Sequence, residues 1–318
     1  MAGLSYFPAP YEDECYYSIL CRYMLHCGLS TRSAEGALFG RQVSPGATLL
    51  IPYLSNRIPG WVSEETGITE GKIIREHTAF YYFAAFCEEY LAKSMLRQIR
   101  TGRKSGQRMP YRRAASGQYL RYCPACAYEE KIRYGEMYWH RLHQLDGVHF
   151  CHDHGIALVE SSVSWYNTKR SLIPASHALA GIYEQSLEEC MRGCVPVPPD
   201  DRGKYDAIFK DIEWLTRHGD ETGGFEAVIQ RYRSALTRRG WLKGRHTDIE
   251  NASALRDELK NYWGKEFLKG LHLMLHEYLE WDSIPLIVVK FLTPLQHILL
   301  MGYLCGSAEE FFAIVVSL

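Results

Sequence analysis

"YCPACAYEEKIRYGEMYWHRLHQLDGVHFCHDHG", residues 122–155, sets two cysteines three apart, then an interval rich in aromatics and histidines, then a cysteine and a histidine three apart. Each short pair suits a tight knuckle that aims both side chains at one point. Two knuckles brought together make Cys123, Cys126, Cys151 and His154 a tetrahedral set of ligands suited to zinc. Pro124 fits the first knuckle, and Gly155 follows the second. Four protein ligands close the coordination sphere, so the spacing reads as structural Zn2+ and not as a reaction centre. Other readings stand beside it. A thioredoxin-like dithiol wants a βαβ setting, and none is legible. Buried thiols without a metal fit the same residues. A catalytic zinc wants an open position and an H-E-x-x-H or H-x-E motif. His152 is the alternative to His154. His140, His143 and His149 read as satisfied histidines, and Tyr134, Tyr138 and Trp139 as a small core between the knuckles. So short an interval buries too little surface to fold alone; metal binding then supplies folding free energy on the order of 10 kcal/mol.

The bulk numbers set the frame around this stretch. A chain of 318 residues accommodates two or three modules and a sizeable core. Its 47% hydrophobic and 23% charged content is ordinary for a globular protein. A net charge of −1 argues against an overall basic nucleic-acid binder and leaves local basic patches open. The opening "MAGLSYFPAPYEDECYYS" lacks a charged n-region followed by an apolar core, so no signal peptide is expected. The most lipid-like window, "LIVVKFLTPLQHILLMGYL" (286–304), is interrupted by Lys290, Pro294, Gln296 and His297; it reads as an extended segment and a buried helix. The expected setting is the cytoplasm, with no membrane contact. There the ten cysteines are thiols or metal ligands before they are disulfides. Cys15, Cys21 and Cys27 read as core thiols, and Cys190 and Cys194 with His177 as a candidate half of a second metal site.

The pattern is mainly α: a helix-turn-helix-like helical N-terminal module (1–118), a central zinc-ribbon-like arm (119–175) and a C-terminal helical bundle (176–318) after a proline-rich linker, "CVPVPPDDRG" (194–203). Near the start, "YEDECYYSILCRYMLHCG" places acids in a first turn and Gly28 at the stop, and "STRSAEGALFG" opens on Ser30 or Thr31 and closes on Gly40. "TEGKIIREHTAFYYFAAFCEEYLAKSMLRQIR" holds one or two further helices. In the C-terminal part, helices end at Gly219, Gly240 and Gly264, the last opened by Thr247 or Asp248.

Two basic stretches are candidate contacts. Residues 93–122 carry nine basic residues and no acid, with Arg103, Lys104, Arg108, Arg112 and Arg113 in a Gly/Pro-broken part. They read either as a solvated loop or as a contact to phosphate or an acidic partner. "RYRSALTRRGWLKGRH" adds Arg238, Arg239, Lys243 and Arg245, fitting a helix-turn-helix or simply the wet face of a helix. No nucleophile–base arrangement, P-loop or G-x-G-x-x-G is legible, so the chain reads as a non-enzyme.

Four stretches together resemble the TniQ/TnsD family of transposon target-selection proteins, including those of CRISPR-associated transposons. "FPAPYEDECYYSILCRYMLHCG" is similar to the family's opening, with Ser18, Leu20 and Arg22 as S-x-L-x-R. "IREHTAFYYFAAF" resembles its H-T and aromatic stretch through His77, Thr78 and Phe86, without the usual proline. "LRYCPACAYEEKIRYGEMYWHRLHQLDGVHFCHDHGIAL" is the most specific match, and "YRSALTRRGWL", "GKEFLKGL" and "PLQHILLMGYL" resemble the C-terminal helices. The resemblance implies structural zinc on Cys123, Cys126, Cys151 and His154. It implies an adaptor that links target DNA or an RNA-guided Cascade complex to an AAA+ ATPase transposition regulator (TnsC-like), in some members as a homodimer. The alternative is an autonomous, sequence-specific binder of attachment-site DNA, here ending before the further C-terminal DNA-binding region that such binders carry.

Overall fold

The computed structural model of the chain describes residues 4–40, 53–55, 69–101, 118–168, 170–242, 248–271 and 283–316. The chain divides into two compact units, Met1–Phe80 with Ser94–Gly106 and Gly117–Val197, and Tyr81–Lys93 with Gln107–Ser116 and Pro198–Leu318.

The first unit opens with α1 (Tyr16–His26) and α2 (Thr31–Phe39). Ser30 caps α2 by accepting the Ser33 amide at 3.2 Å, and Gly40 closes it at φ 68°, a left-handed conformation that disfavours a Cβ. The acids expected in the first turn of α1 lie ahead of it instead. The helix begins only after Cys15, and Asp13 and Glu14 point inward to buried arginines. Three helices divide the next stretch of chain: α3 (Glu70–His77) in the first unit, α4 (Phe80–Ala84), which falls mostly in the second, and α5 (Glu89–Thr101), which begins in the second and continues in the first. Thr69 caps α3 through the Lys72 amide.

The metal-type segment is framed by the antiparallel pair β1 (Tyr119–Tyr122) and β2 (Val159–Ser164), with α6 (Pro124–Tyr134) between them. Pro124 takes the first helical position, where its missing N–H costs no hydrogen bond. Short helices α7 (Trp165–Thr168), α8 (Ala175–Ala178) and α9 (Leu187–Met191) follow, and α9 packs on α6. Ser186 and Glu189 form a capping box on α9.

The proline-rich stretch 194–203 takes two conformations. Ala157 donates to the Val195 carbonyl and Val197 to that of Gly155, so its first part forms an edge on the metal-type segment. From Pro199 the chain is already helical: proline suits the first turn, and Asp200 and Asp201 favour the positive end of the helix dipole.

The second unit holds α10 (Pro199–His218), α11 (Gly224–Arg238), β3 (Asp248–Glu250), α12 (Ala252–Trp263), α13 (Lys265–Gly270), β4 (Ser283–Pro285), α14 (Pro294–Cys305) and α15 (Ala308–Phe312). Residues 248–250 do not extend α12, as the sequence suggested. They pair antiparallel with β4, Ile249 is buried, and Asn251, at φ 53°, caps the helix through the Ala254 amide. The axis of this unit is α14. It opens on a Thr293–Gln296 capping box, is buried from Leu295 to Leu304, and packs against α10, α11 and α15, whose Ile212, Leu215, Val228, Leu236 and Phe311 are themselves buried. Each such side chain taken fully from water contributes about 1.5–3 kcal/mol. Among the described residues no helix is long and apolar enough to cross a membrane.

Candidate metal centre

Cys123 directly follows β1 in an extended conformation (φ −98°, ψ 123°) and stands at the N-cap of α6. Cys126 lies in the first turn of that helix, so strand end and helix start turn both sulfurs inward. The second knuckle is a hairpin. Phe150 and Ala157 pair across it, Cys151 donates to the Ile156 carbonyl at 2.8 Å, and Gly155 donates to the Cys151 carbonyl at 2.9 Å. Gly155 makes the reversal at φ 61°, which a side chain would strain.

The His154 Nδ1 lies 3.6 Å from Cys123 Sγ, 3.4 Å from Cys126 Sγ and 3.5 Å from Cys151 Sγ, and the Cys126 and Cys151 sulfurs are 3.6 Å apart. All the ligand atoms fall within 4.8 Å of one another. A tetrahedral zinc with bonds of about 2.3 Å to sulfur and 2.0 Å to nitrogen has edges of about 3.5–3.8 Å. The donor set therefore fits a borderline-soft divalent cation with no open position. One ring nitrogen cannot satisfy three thiols by hydrogen bonding, but one cation can join all four groups.

Electrostatics point the same way. Hydrogen bonds from Cys123 and Cys151, with burial, raise the Cys126 thiol, while bonds from Cys123 and Cys126 lower that of Cys151. Three thiolates crowded this closely would repel one another, and a bound cation relieves that repulsion. Cys123, Cys126 and Cys151 are all buried. On the far side of the His154 ring, Nε2 meets Glu129 Oε1 at 3.1 Å, which turns Nδ1 toward the sulfurs. His152 is exposed, and Nδ1 of His154 completes the cluster.

The other candidates settle differently. Cys190 donates to Gln185 Oε1, and Cys194 packs against the cysteine cluster. Among the described residues they form no second metal-type group with His177. His140 is half-buried on Glu130 and Asp13, and His143 is buried beside Cys151. Arg103, Lys104, Arg108, Arg112, Arg113, Lys243 and Arg245 lie outside the described residues. Arg238 is exposed at the end of α11. The Arg239 guanidinium donates to the Tyr303 and Leu304 carbonyls at 2.9 and 3.2 Å and covers the Tyr303 ring, so it closes the end of α14.

One constellation was not foreseen. Ser18 Oγ accepts the Trp139 amide at 3.0 Å, and the Trp139 carbonyl accepts the Cys15 amide at 2.9 Å. Arg22 bridges Glu14 and Glu136, both at 2.8 Å, and lies over the Tyr11 ring. Arg141 binds Asp13 and the carbonyls of Arg75 and Thr78, and His77 Nδ1 meets the Glu14 carbonyl at 2.7 Å. Burial raises Glu14 to about 7 against the pull of Arg22. The aromatics between the knuckles join this network and are no isolated core: Trp139 is fully buried against α1, and Tyr134 stacks on Tyr11 at 4.1 Å. The only sequence signal was that Ser18, Arg22, His77, Trp139 and Arg141 all fall in the motif-like stretches.

Two family models match the chain: TniQ over residues 5–158, and TnsD, Tn7-like transposition protein D, over residues 208–317. The chain is also similar to the transposon Tn7 transposition protein TnsD of Escherichia coli, 27% identical over 154 residues. That match covers 47% of this chain and 30% of the relative.

Proposed function

Since the chain belongs to the TniQ/TnsD family of transposition proteins, we propose that it selects target sites for DNA transposition. The observation that carries this reading is the pair of family matches, one reaching into each compact unit. It acts as a non-enzymatic adaptor. It links target DNA or an RNA-guided Cascade complex to an AAA+ ATPase regulator, which admits the transposase, and it works in the bacterial cytoplasm. The closed ligand geometry supports the adaptor reading, because it leaves no position for water or substrate.

In this reading Cys123, Cys126, Cys151 and His154 hold Zn2+. Bound zinc supplies a cross-link between β1, α6 and the following hairpin. Glu129 orients the imidazole, and the β1–β2 ladder sets the register of the two knuckles. The basic residues at 103–113 and 238–245 are the proposed contacts to nucleic acid or partner; Arg238 has the exposure this requires. The test is to sequence insertion sites in cells carrying the transposon with and without this chain. Loss of the preferred sites on removal of the chain supports target selection. An unchanged insertion pattern contradicts it.

A further inference from the structure

We propose that the metal centre and the N-terminal segment Tyr11–Arg22 form one cooperative element, joined by a clasp in which the His140 ring lies between Glu130 and Asp13, so that metal loss loosens the start of the fold. The proposal rests on the metal reading above and goes beyond it. A closed zinc site would ordinarily hold only its own knuckles together.

The connection runs through named atoms. Cys126 and Glu130 are four residues apart on α6, so they share a helix face. Glu130 is buried: its Oε2 accepts the Tyr138 amide at 3.0 Å, and its Oε1 lies 2.6 Å from His140 Nε2. On the other side of the ring, Nδ1 faces Asp13 Oδ2 at 3.7 Å. A neutral imidazole has one N–H to offer, and here both nitrogens face carboxylates. The two carboxylates favour the protonated ring. Burial alone would lower its pKa, but Asp13 and Glu130 outweigh burial and raise it to about 10.

Asp13 is the element poised to move. It holds a positive φ of 51°, a left-handed conformation that disfavours a residue with a side chain. Three bonds hold it there: its carbonyl accepts the Arg141 amide at 2.7 Å, Oδ1 accepts from Arg141 Nε at 3.0 Å, and Oδ2 accepts the Leu142 amide at 2.9 Å. All depend on the position of residues 138–142, which Glu130 fixes from α6. Cys15 and Trp139 continue the seam into α1. When the metal leaves, the first turn of α6 loses its anchor, Glu130 is no longer fixed, and Asp13 gains by relaxing.

The test is amide hydrogen exchange on the full chain, loaded with zinc and then stripped by a chelator. Exchange at Cys15, Trp139 and Arg141 is expected to speed by about tenfold or more on stripping, together with Ala127 on α6. His140→Gln keeps a polar side chain but removes the charge. In the zinc-loaded variant the first three amides are expected to exchange fast while Ala127 stays protected. Should that variant fail to fold, the stripping experiment on the natural chain decides alone. Protection of Cys15 and Arg141 that survives metal removal would overturn the coupling. A chain that takes up no zinc would overturn the metal reading itself, a separate and distinguishable failure.

Discussion

Phe86 and His297 lie face to face, with ring centroids 3.9 Å apart and planes within 2° of parallel. His297 is fully buried on α14, and its Nδ1 meets the Tyr232 hydroxyl at 2.8 Å. A ring so enclosed is kept neutral: burial lowers its pKa to about 3. Its unfolded value is about 6.5, so the unfolded chain binds more protons between the two. The stability from neutral His297 is therefore complete above about pH 6.5 and is lost as pH falls toward 3. His297→Leu should flatten the acid limb of a urea-denaturation series between pH 6.5 and 4, relative to the natural chain. His297→Ala should cost about 2–4 kcal/mol at pH 7 by removing the stack and the hydrogen bond together.

Gly302 faces Trp263 across the α12–α14 packing. A Cβ built on it would lie 2.7 Å from Trp263 Cζ2, while the indole N–H donates to the Leu299 carbonyl at 3.0 Å and holds the ring there. Gly302→Ala is expected to lower the denaturation midpoint by an amount equal to about 1–3 kcal/mol, although alanine is the better helix former. An unchanged midpoint would mean that the indole moves freely.

Removing a ligand from the candidate centre should act on folding. Cys151→Ala and His154→Ala are expected to bring zinc, counted by elemental analysis, from about one per chain to near zero. Thermal unfolding should show a loss of several kcal/mol in the same variants. Glu129→Gln leaves the ligands in place and should weaken zinc affinity by about tenfold, read by competition with a chelating dye.

Arg238 and Arg239 are neighbours with opposite expectations. Both are exposed, but the Arg239 guanidinium is tied to the Tyr303 and Leu304 carbonyls, so Arg239→Ala should destabilise by about 1 kcal/mol. Arg238 is exposed, and Arg238→Ala should leave stability unchanged. If Arg238 meets phosphate, that variant reduces the salt slope of duplex binding by about one, measured by fluorescence anisotropy.

Much of this was legible in the sequence, because local chemistry wrote it there. Ser30 and Gly40 bound α2, Pro294 opens α14, and the spacing of Cys123, Cys126, Cys151 and His154 announced their convergence. What was not legible depends on distant pairing. Asp13 and Glu14 look like acids of a helix first turn, but Arg141, far along the chain, and Arg22, on the helix that follows, draw them inward. Asp248 looks like a helix cap until β4 supplies a strand to pair with. Arg239 looks like a free cation until the end of α14 offers it two carbonyls. No periodicity or spacing encodes those partners.

The central claim is that this chain is an adaptor between a target and a transposition ATPase. It is tested most directly by co-purification of the zinc-loaded chain with the AAA+ ATPase regulator of the same transposon, with and without target DNA. The account predicts a complex with the ATPase, and weak, salt-sensitive DNA binding by the chain alone. No complex under either condition, together with tight sequence-specific DNA binding by the isolated chain, would contradict it.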